Sequence, residues 1–198
     1  MDKYTISITR EFGSLGRPIA RSLSEKLGIE FYDRDIVEEV SKQLNMPVSR
    51  VSDSEEKAHH RLFSCMFPLG TDEEYIQDMI FDVQKDIILD LAERSSCIIV
   101  GRCSDYLLEN RQNHINIFIY APYAKRLENC INSLDMTEEQ AKKMILRVDR
   151  ARASYHKRYA GFAPGDPKHK QLMMDSSLLG VEGTSDLIAQ MVKLKFGI

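Results

Sequence analysis

The chain has 198 residues, 43% of them hydrophobic and 29% charged, and its 27 Lys and Arg against 30 Asp and Glu give a formal net charge of -3. This is the length and composition of a chain that buries a real core, and the mild negative charge excludes a global attraction to nucleic acid or to anionic membranes, so an anion must be bound locally. The four cysteines (Cys65, Cys97, Cys103 and Cys130) form no CxxC pair and the five histidines show no metal-ligand spacing, which excludes a structural zinc and points to reduced thiols in a cytoplasmic protein.

In chain order, the N-terminus enters a strand at once, so no signal peptide is expected, and no apolar run approaches the ~20 residues of a membrane span. Tyr4, Ile6 and Ile8 alternate with Thr5, Ser7 and Thr9, the two-residue period of a strand. The strand breaks at Gly13 and Gly16, and Ile19, Ala20, Leu23 and Leu27 then follow at helical spacing, with Pro18 suited to the first helical position. Strand, Gly-rich turn and helix aim backbone N–H groups and a positive dipole end at one point, which is an anion site. The same turn also reads as an ordinary strand-to-helix connection. It is not a regular P-loop, because with Gly16 and Arg17 set on the Gly-Lys pair, Glu11 falls where the first Gly belongs and Pro18 replaces the Mg²⁺-binding hydroxyl.

Gly28 is placed to cap the first helix, and Ile29 to Tyr32 reads as a second strand ending at Asp33, Arg34 and Asp35. A helix is expected through Ile36, Val37, Val40 and Leu44, and a polar helical stretch from Ser49 to His60. The segment 61–72 gathers Leu62, Phe63, Met66, Phe67 and Leu69 into an apolar insert, either a loop on the core, a cover for a ligand or a homodimer surface. Thr71 or Asp72 starts a long helix with an expected stripe of Ile76, Met79, Ile80, Val83, Ile87 and Leu91. Cys97 to Val100 and Ile115 to Tyr120 read as central parallel strands covered on both faces. A helix follows over Lys125 to Leu134, and Thr137 with Gln140 forms a capping box for the next. That helix runs into a basic stretch in which Arg147 and Arg150 share a face and Arg152 does not share it with Arg150. A loop at Gly161 to Pro167, the run Leu172 to Ser177 and a terminal helix from Asp186 to Phe196 complete the chain.

Strands alternate with helices throughout, which gives an α/β fold with a mainly parallel sheet whose ligands bind beyond the strands' C-terminal ends. Those ends carry Arg10, Asp33 with Arg34, and Arg102. Guanidinium forks suit phosphate oxygens, and arginines closing over a transferring group exclude water and neutralise its charge.

These residues resemble the cytidylate kinase-like family, relatives of the P-loop nucleoside monophosphate kinases. The likeness is carried by Ile8 to Ser14 with Gly16-Arg17, Leu27-Gly28 leading to Phe31-Tyr32-Asp33, Ile99 to Cys103, Phe118 to Pro122, and Val148-Asp149 with Arg152 to Tyr155. It implies a P-loop kinase-like three-layer sandwich with a five-stranded sheet, residues 1–198 as one nucleotide-kinase-like domain and 137–168 as a helical Arg-rich lid. It further implies donor phosphates of ATP on Gly13, Ser14, Leu15, Gly16 and Arg17, with Asp175 and Ser176 near the donor base. The acceptor nucleotide would face Arg10, Asp33, Arg34 and Arg102, and Arg17, Arg147, Arg150 and Arg152 would act on the transferring group. Two departures stand out. The turn lacks its Lys and Ser/Thr, and Val100 precedes Gly101-Arg102 where cytidylate kinases have an Asp. Mg²⁺ is expected with ATP, with Asp33, Asp35 or Asp105 as candidates to reach it through water, although no direct metal ligand is identified. Three readings stay open: a kinase acting on a small nucleotide-like acceptor, a nucleotide or phosphate sensor that has lost transfer, and a structural module.

Overall fold

A computed structural model describes residues 3–49, 51 and 72–198. The segment 61–72, apart from Asp72, lies outside them, as does nearly all of the expected helix at 49–60. The elements are β1 (Thr5–Arg10), α1 (Gly16–Leu27), β2 (Glu30–Tyr32), α2 (Arg34–Leu44), α3 (Asp72–Arg94), β3 (Cys97–Val100), α4 (Ser104–Leu107), β4 (His114–Tyr120), α5 (Tyr123–Leu134), α6 (Glu138–Ala160), β5 (Leu172–Asp175) and α7 (Ser176–Phe196). The strands form one five-stranded sheet in the order β2-β3-β1-β4-β5, and every neighbouring pair is parallel. All C-terminal strand ends therefore lie along one edge.

The alternation in β1 sorts the two faces of the sheet. Ile6 and Ile8 join Ile98, Val100, Ile115, Ile117 and Ile119 under α1 and α7, which contribute Ile19, Ala20, Leu23, Ile188, Ala189 and Val192. Each fully buried aliphatic side chain contributes roughly 1.5–3 kcal/mol, so this layer is the main hydrophobic anchor of the fold. Tyr4 stacks on Phe196 with ring centroids 4.6 Å apart and fastens the end of α7 to the start of β1.

On the opposite face, Cys97 and Ile99 of β3 pack against Ile36, Val37 and Val40 of α2 and against Ile80, Ile88 and Ala92 of α3. The deep stripe of α3 is thus Ile80, Gln84, Ile88 and Ala92, a step away from the expected one; Ile76, Val83, Ile87 and Leu91 flank it half-buried. The shift follows from Gln84, which a hydropathy pattern assigns to solvent but whose Oε1 accepts a buried 2.8 Å hydrogen bond from Tyr155 Oη of α6.

Over β1 and β4 the same face is polar. Ser7 Oγ meets His114 Nε2 at 2.9 Å, and Asn116 Nδ2 donates to the Asp105 carbonyl at 3.1 Å. Burial pushes the His114 imidazole down to about 4. Asp105 accepts from His156 Nε2 at 2.9 Å and pairs with Lys170, whose side chain, like that of Asp105, is 0% exposed. Burial works against the charge of Asp105, but His156 and then Lys170 outweigh it and hold the carboxyl below its usual range. This cluster joins α4, α6 and the segment entering β5.

Local signals hold up with small corrections. Gly28 caps α1, and Thr137 and Gln140 form the capping box of α6. Because α1 begins at Gly16, Pro18 is its third residue, where the backbone N–H it lacks is still without an intrahelical partner. The terminal helix begins at Ser176, well before Asp186, and is interrupted at Gly180. No described helix is long and apolar enough to cross a membrane.

Candidate anion-binding cleft

The ends of β1, β2 and β3 and the start of α1 bring three arginines onto one carboxylate. Arg102 Nη1 lies 3.0 Å from Asp33 Oδ1, Arg17 Nε lies 2.9 Å from Oδ2, and Arg10 Nη2 lies 3.9 Å from Oδ1. The Asp33 side chain is 9% exposed and that of Arg102 8%, against 45% for Arg17. Burial raises the carboxyl of Asp33, but Arg102, then Arg10 and Arg17, more than offset it, so its pKa lies below the usual 3.8.

The backbone that delivers these groups is strained. Gly101, Arg102 and Cys103 have φ of 78°, 54° and 54°, three successive residues in the left-handed region. For a non-glycine residue this costs about 1–2 kcal/mol. The turn is secured by Ser104 N donating to the Gly101 carbonyl at 3.0 Å, and it folds Arg102 back so that Nη1 also donates to the Val100 carbonyl at 2.9 Å. At Gly101 a Cβ would lie 2.2 Å from Arg10 Nη1, so the guanidinium of Arg10 runs across the space that only glycine leaves.

Beside this cluster, the Gly-rich turn opens α1. Leu15, at φ 60°, is the left-handed residue before the helix, and no acceptor among the described residues takes the amides of Leu15, Gly16 or Arg17. Those donors and the positive end of α1 face the same cleft, which measures about 960 Å³ and is lined among others by Arg10, Gly13, Arg17, Asp33, Arg102 and Arg152. Ser14 contributes no side chain to it: its buried Oγ donates to the Glu11 and Ile119 carbonyls at 2.9 and 3.1 Å.

Of the basic-helix arginines, Arg152 reaches the cleft. Its Nη1 donates to the Arg10 carbonyl at 3.1 Å and its guanidinium lies 5.9 Å from the Phe12 ring centroid. Arg147 and Arg150 are exposed on α6 and do not line the cleft. Arg34 opens α2, but its side chain falls outside the described structure. Asp175 caps α7, accepting from Ser177 N at 2.8 Å, and Ser176 Oγ donates to the Ser14 carbonyl at 2.7 Å, bracing the Gly-rich turn from below.

Several groups that organise the site were given no role by sequence reasoning. Asp149 of α6 accepts from Phe12 N at 2.8 Å and pairs with Arg126 of α5, which lies 3.4 Å from Glu11. Asn129 Nδ2 donates to the Gly13 carbonyl at 2.8 Å. Together they tie the turn to α5 and α6. Arg126 and Asn129 sit in an ordinary-looking amphipathic helix and carry no local signal; Asp149 is marked only by the Val148-Asp149 pair of the family likeness and by its place between basic residues, neither of which gives its role.

The donor set does not suit a protein-held Mg²⁺, which prefers carboxylate, hydroxyl and water oxygens. Both oxygens of Asp33 face guanidiniums, Pro18 has no hydroxyl, and Asp105 is enclosed with His156 and Lys170, which removes it as a candidate. Asp35 is exposed on α2 and does not line the cleft. Among the described residues no group of three His, Cys, Asp or Glu is placed to hold a metal ion.

Comparison with solved structures places the fold. An uncharacterized protein from Eubacterium ventriosum superimposes with a TM-score of 0.74 at 23% identity, over 96% of this chain and 99% of that one. A shikimate kinase from Bacteroides thetaiotaomicron gives a TM-score of 0.54 at 11% identity over 98% and 99% of the two chains. The shikimate kinase from Acinetobacter baumannii, solved in complex with shikimate, gives 0.51 at 14% over 98% and 94%. At these identities the likeness establishes a fold shared with small-molecule kinases. No curated protein sequence matches the chain. The cytidylate kinase-like family matches residues 5–178, from the first residue of β1 into the first turn of α7, and the chain belongs to that family.

Proposed function

We propose that this protein is a kinase that transfers the γ-phosphoryl group of ATP to a nucleoside monophosphate or a similar small anionic acceptor. The observation that carries the reading is the meeting, in one cleft, of amides at the start of α1 that no acceptor among the described residues takes with the guanidiniums of Arg10, Arg17, Arg102 and Arg152. Phosphoryl transfer asks a protein chiefly to hold two substrates in line and to neutralise charge on the moving group. Here the amides of Gly13, Leu15, Gly16 and Arg17 and the Arg17 side chain hold the donor phosphates, with Ser14, its amide turned to the Glu11 carbonyl, shaping the turn. Arg10 and Arg102, oriented by Asp33, face the acceptor. Arg152 lies between the two sites, and the 137–168 segment acts as the lid, its Arg147 and Arg150 turning inward when it closes. Asp175 and Ser176 shape the donor side through their contacts with the helix start and the turn. The donor set carries no magnesium site, so no step is assigned to a protein-bound metal. Free thiols at Cys97, Cys103 and Cys130 support a reducing, cytoplasmic setting.

A coupled ADP-release assay with ATP across a panel of nucleoside monophosphates, run with and without Mg²⁺, tests the reading. Acceptor-dependent release that Arg17→Ala abolishes supports it; silence across the panel with ATP binding intact refutes transfer to these acceptors. The second outcome favours a nucleotide sensor, a reading supported by the Arg17–Asp33 ion pair, which turns the expected donor cation toward a carboxylate of its own chain.

A further inference from the structure

We propose that the cleft binds the phosphates of a nucleotide without a divalent cation, the guanidiniums of Arg10, Arg17 and Arg102 taking the place of the metal and Asp33 keeping them together. The inference rests on the reading of the cleft as a nucleotide site and not on phosphoryl transfer.

Three observations carry it. The first is charge. In a chain of net charge -3 the cleft is lined by five arginines (Arg10, Arg17, Arg21, Arg102 and Arg152) against three carboxylates, Glu11, Asp33 and Glu38. One of these carboxylates, Glu11, is itself turned toward Arg126 and the Ala121 amide. Arg10, Arg17 and Arg102 less the charge of Asp33 leave the same double positive charge that one Mg²⁺ would bring to a polyphosphate.

The second is rigidity. Arg102 is fixed by the Val100 carbonyl and by the left-handed turn at 101–103, and Arg10 by its passage over Gly101. Forked donors held in place before the ligand arrives lose little freedom on binding, which is what makes an arginine site effective without a metal. Arg17 differs. At 45% exposure it is the member able to exchange Asp33 for a phosphate oxygen while Arg102 and Arg10 keep the carboxylate neutralised.

The third is the donor set. Most oxygens that would complete a magnesium site are engaged or missing: Asp33 by guanidiniums, Glu11 by Arg126 and the Ala121 amide, Ser14 Oγ by burial and position 18 by proline, so that Glu38 is a single lining carboxylate and no group of three ligands forms among the described residues. An incoming Mg²⁺ would meet guanidiniums where a conventional site offers oxygen, so a metal-bound nucleotide, with less negative charge, gains nothing over the free one.

The test is titration calorimetry of the full chain with ATP and with ADP, in Mg²⁺ and in EDTA, for the wild type and Arg17→Ala. The expected result is binding in EDTA that equals or exceeds binding in Mg²⁺, weakened about tenfold or more by Arg17→Ala, the loss of one charge-assisted contact. An unchanged melting temperature shows that the variant is folded. Binding more than about tenfold tighter with Mg²⁺ overturns the proposal and leaves the nucleotide site standing. Metal-free binding indifferent to Arg17→Ala overturns the role given to the arginines. No binding in either arm overturns the nucleotide reading and the proposal with it.

Discussion

Replacing Asp33 with Asn probes the centre of the cleft, because the side chain keeps its shape and loses its charge. In the wild type one carboxylate faces Arg102 at 3.0 Å, Arg17 at 2.9 Å and Arg10 at 3.9 Å. Arg17 is half in solvent, so its share is small, as for any exposed pair. Arg102 and Arg10, at 8% and 17% side-chain exposure, are the groups that lose a buried countercharge. Removing one partner of a buried pair costs about 3–5 kcal/mol, and since the Asn oxygen still accepts one hydrogen bond from Arg102 the lower end, about 3 kcal/mol, applies. Urea unfolding at neutral pH measures this as a lower midpoint with an unchanged slope. The pH dependence adds a second reading. The folded carboxyl lies below its ordinary 3.8, so in the window below that value the unfolded chain binds a proton that the folded chain refuses. Its contribution is complete above 3.8 and fades as the pH falls through the folded value, so the gap between wild type and Asp33→Asn narrows in acid. A loss below about 1 kcal/mol at neutral pH, the range of an exposed pair, would refute the view that Asp33 holds the site together.

Other expectations concern the surrounding fold. His114, pushed down to about 4 from 6.5, stays neutral in the folded protein while the unfolded chain protonates, so about 3 kcal/mol of stability is lost between those pH values; His114→Gln flattens that part of a pH-stability curve. Gly101→Ala places a methyl 2.2 Å from Arg10 Nη1 at a φ of 78° and should lower stability by about 1–2 kcal/mol, read as a drop in melting temperature, and displace Arg10 from the cleft. Lys170→Met leaves Asp105 buried with His156 alone and should cost about 3–5 kcal/mol in urea unfolding; a loss below about 1 kcal/mol would contradict the role of the pair. Cys97, Cys103 and Cys130 are buried, and burial pushes the Cys97 thiol up to about 11, so a thiol reagent near pH 8 should spare these three in the native chain and modify them after unfolding.

Much of this architecture is legible in the sequence because its signals are local. The alternation of β1, the unbroken apolar runs of β3 and β4 and the Thr137–Gln140 box each depend on near neighbours in the chain, and each appears where it is expected. The strand-end rule also brings Arg10, Asp33 and Arg102 together without any knowledge of their contacts. What the sequence hides is pairing across distance. Arg17 reads as a phosphate ligand, yet its Nε lies 2.9 Å from Asp33, and nothing in either segment announces the other. Lys170 and His156 look like ordinary surface charges, and they are buried because Asp105 comes to meet them from a short helix too brief for periodicity to detect. The stripe of α3 is displaced for a related reason: Gln84 is buried by a partner in α6.

The two faces of the sheet hold the molecule by different physics. One is an oily layer under α1 and α7, indifferent to protons; the other, over β1 and β4, is a chain of imidazole, carboxylate, ammonium and hydroxyl groups. Acid therefore acts as a selective solvent for one side of the protein. As His114 and Asp105 take up protons, α4, α6 and the approach to β5 lose their anchorage while the aliphatic layer keeps α1 and α7 in place. The molecule loosens first on the side that carries Asp149 and Arg152, and amide exchange at about pH 4 and below would trace a boundary along the plane of the sheet.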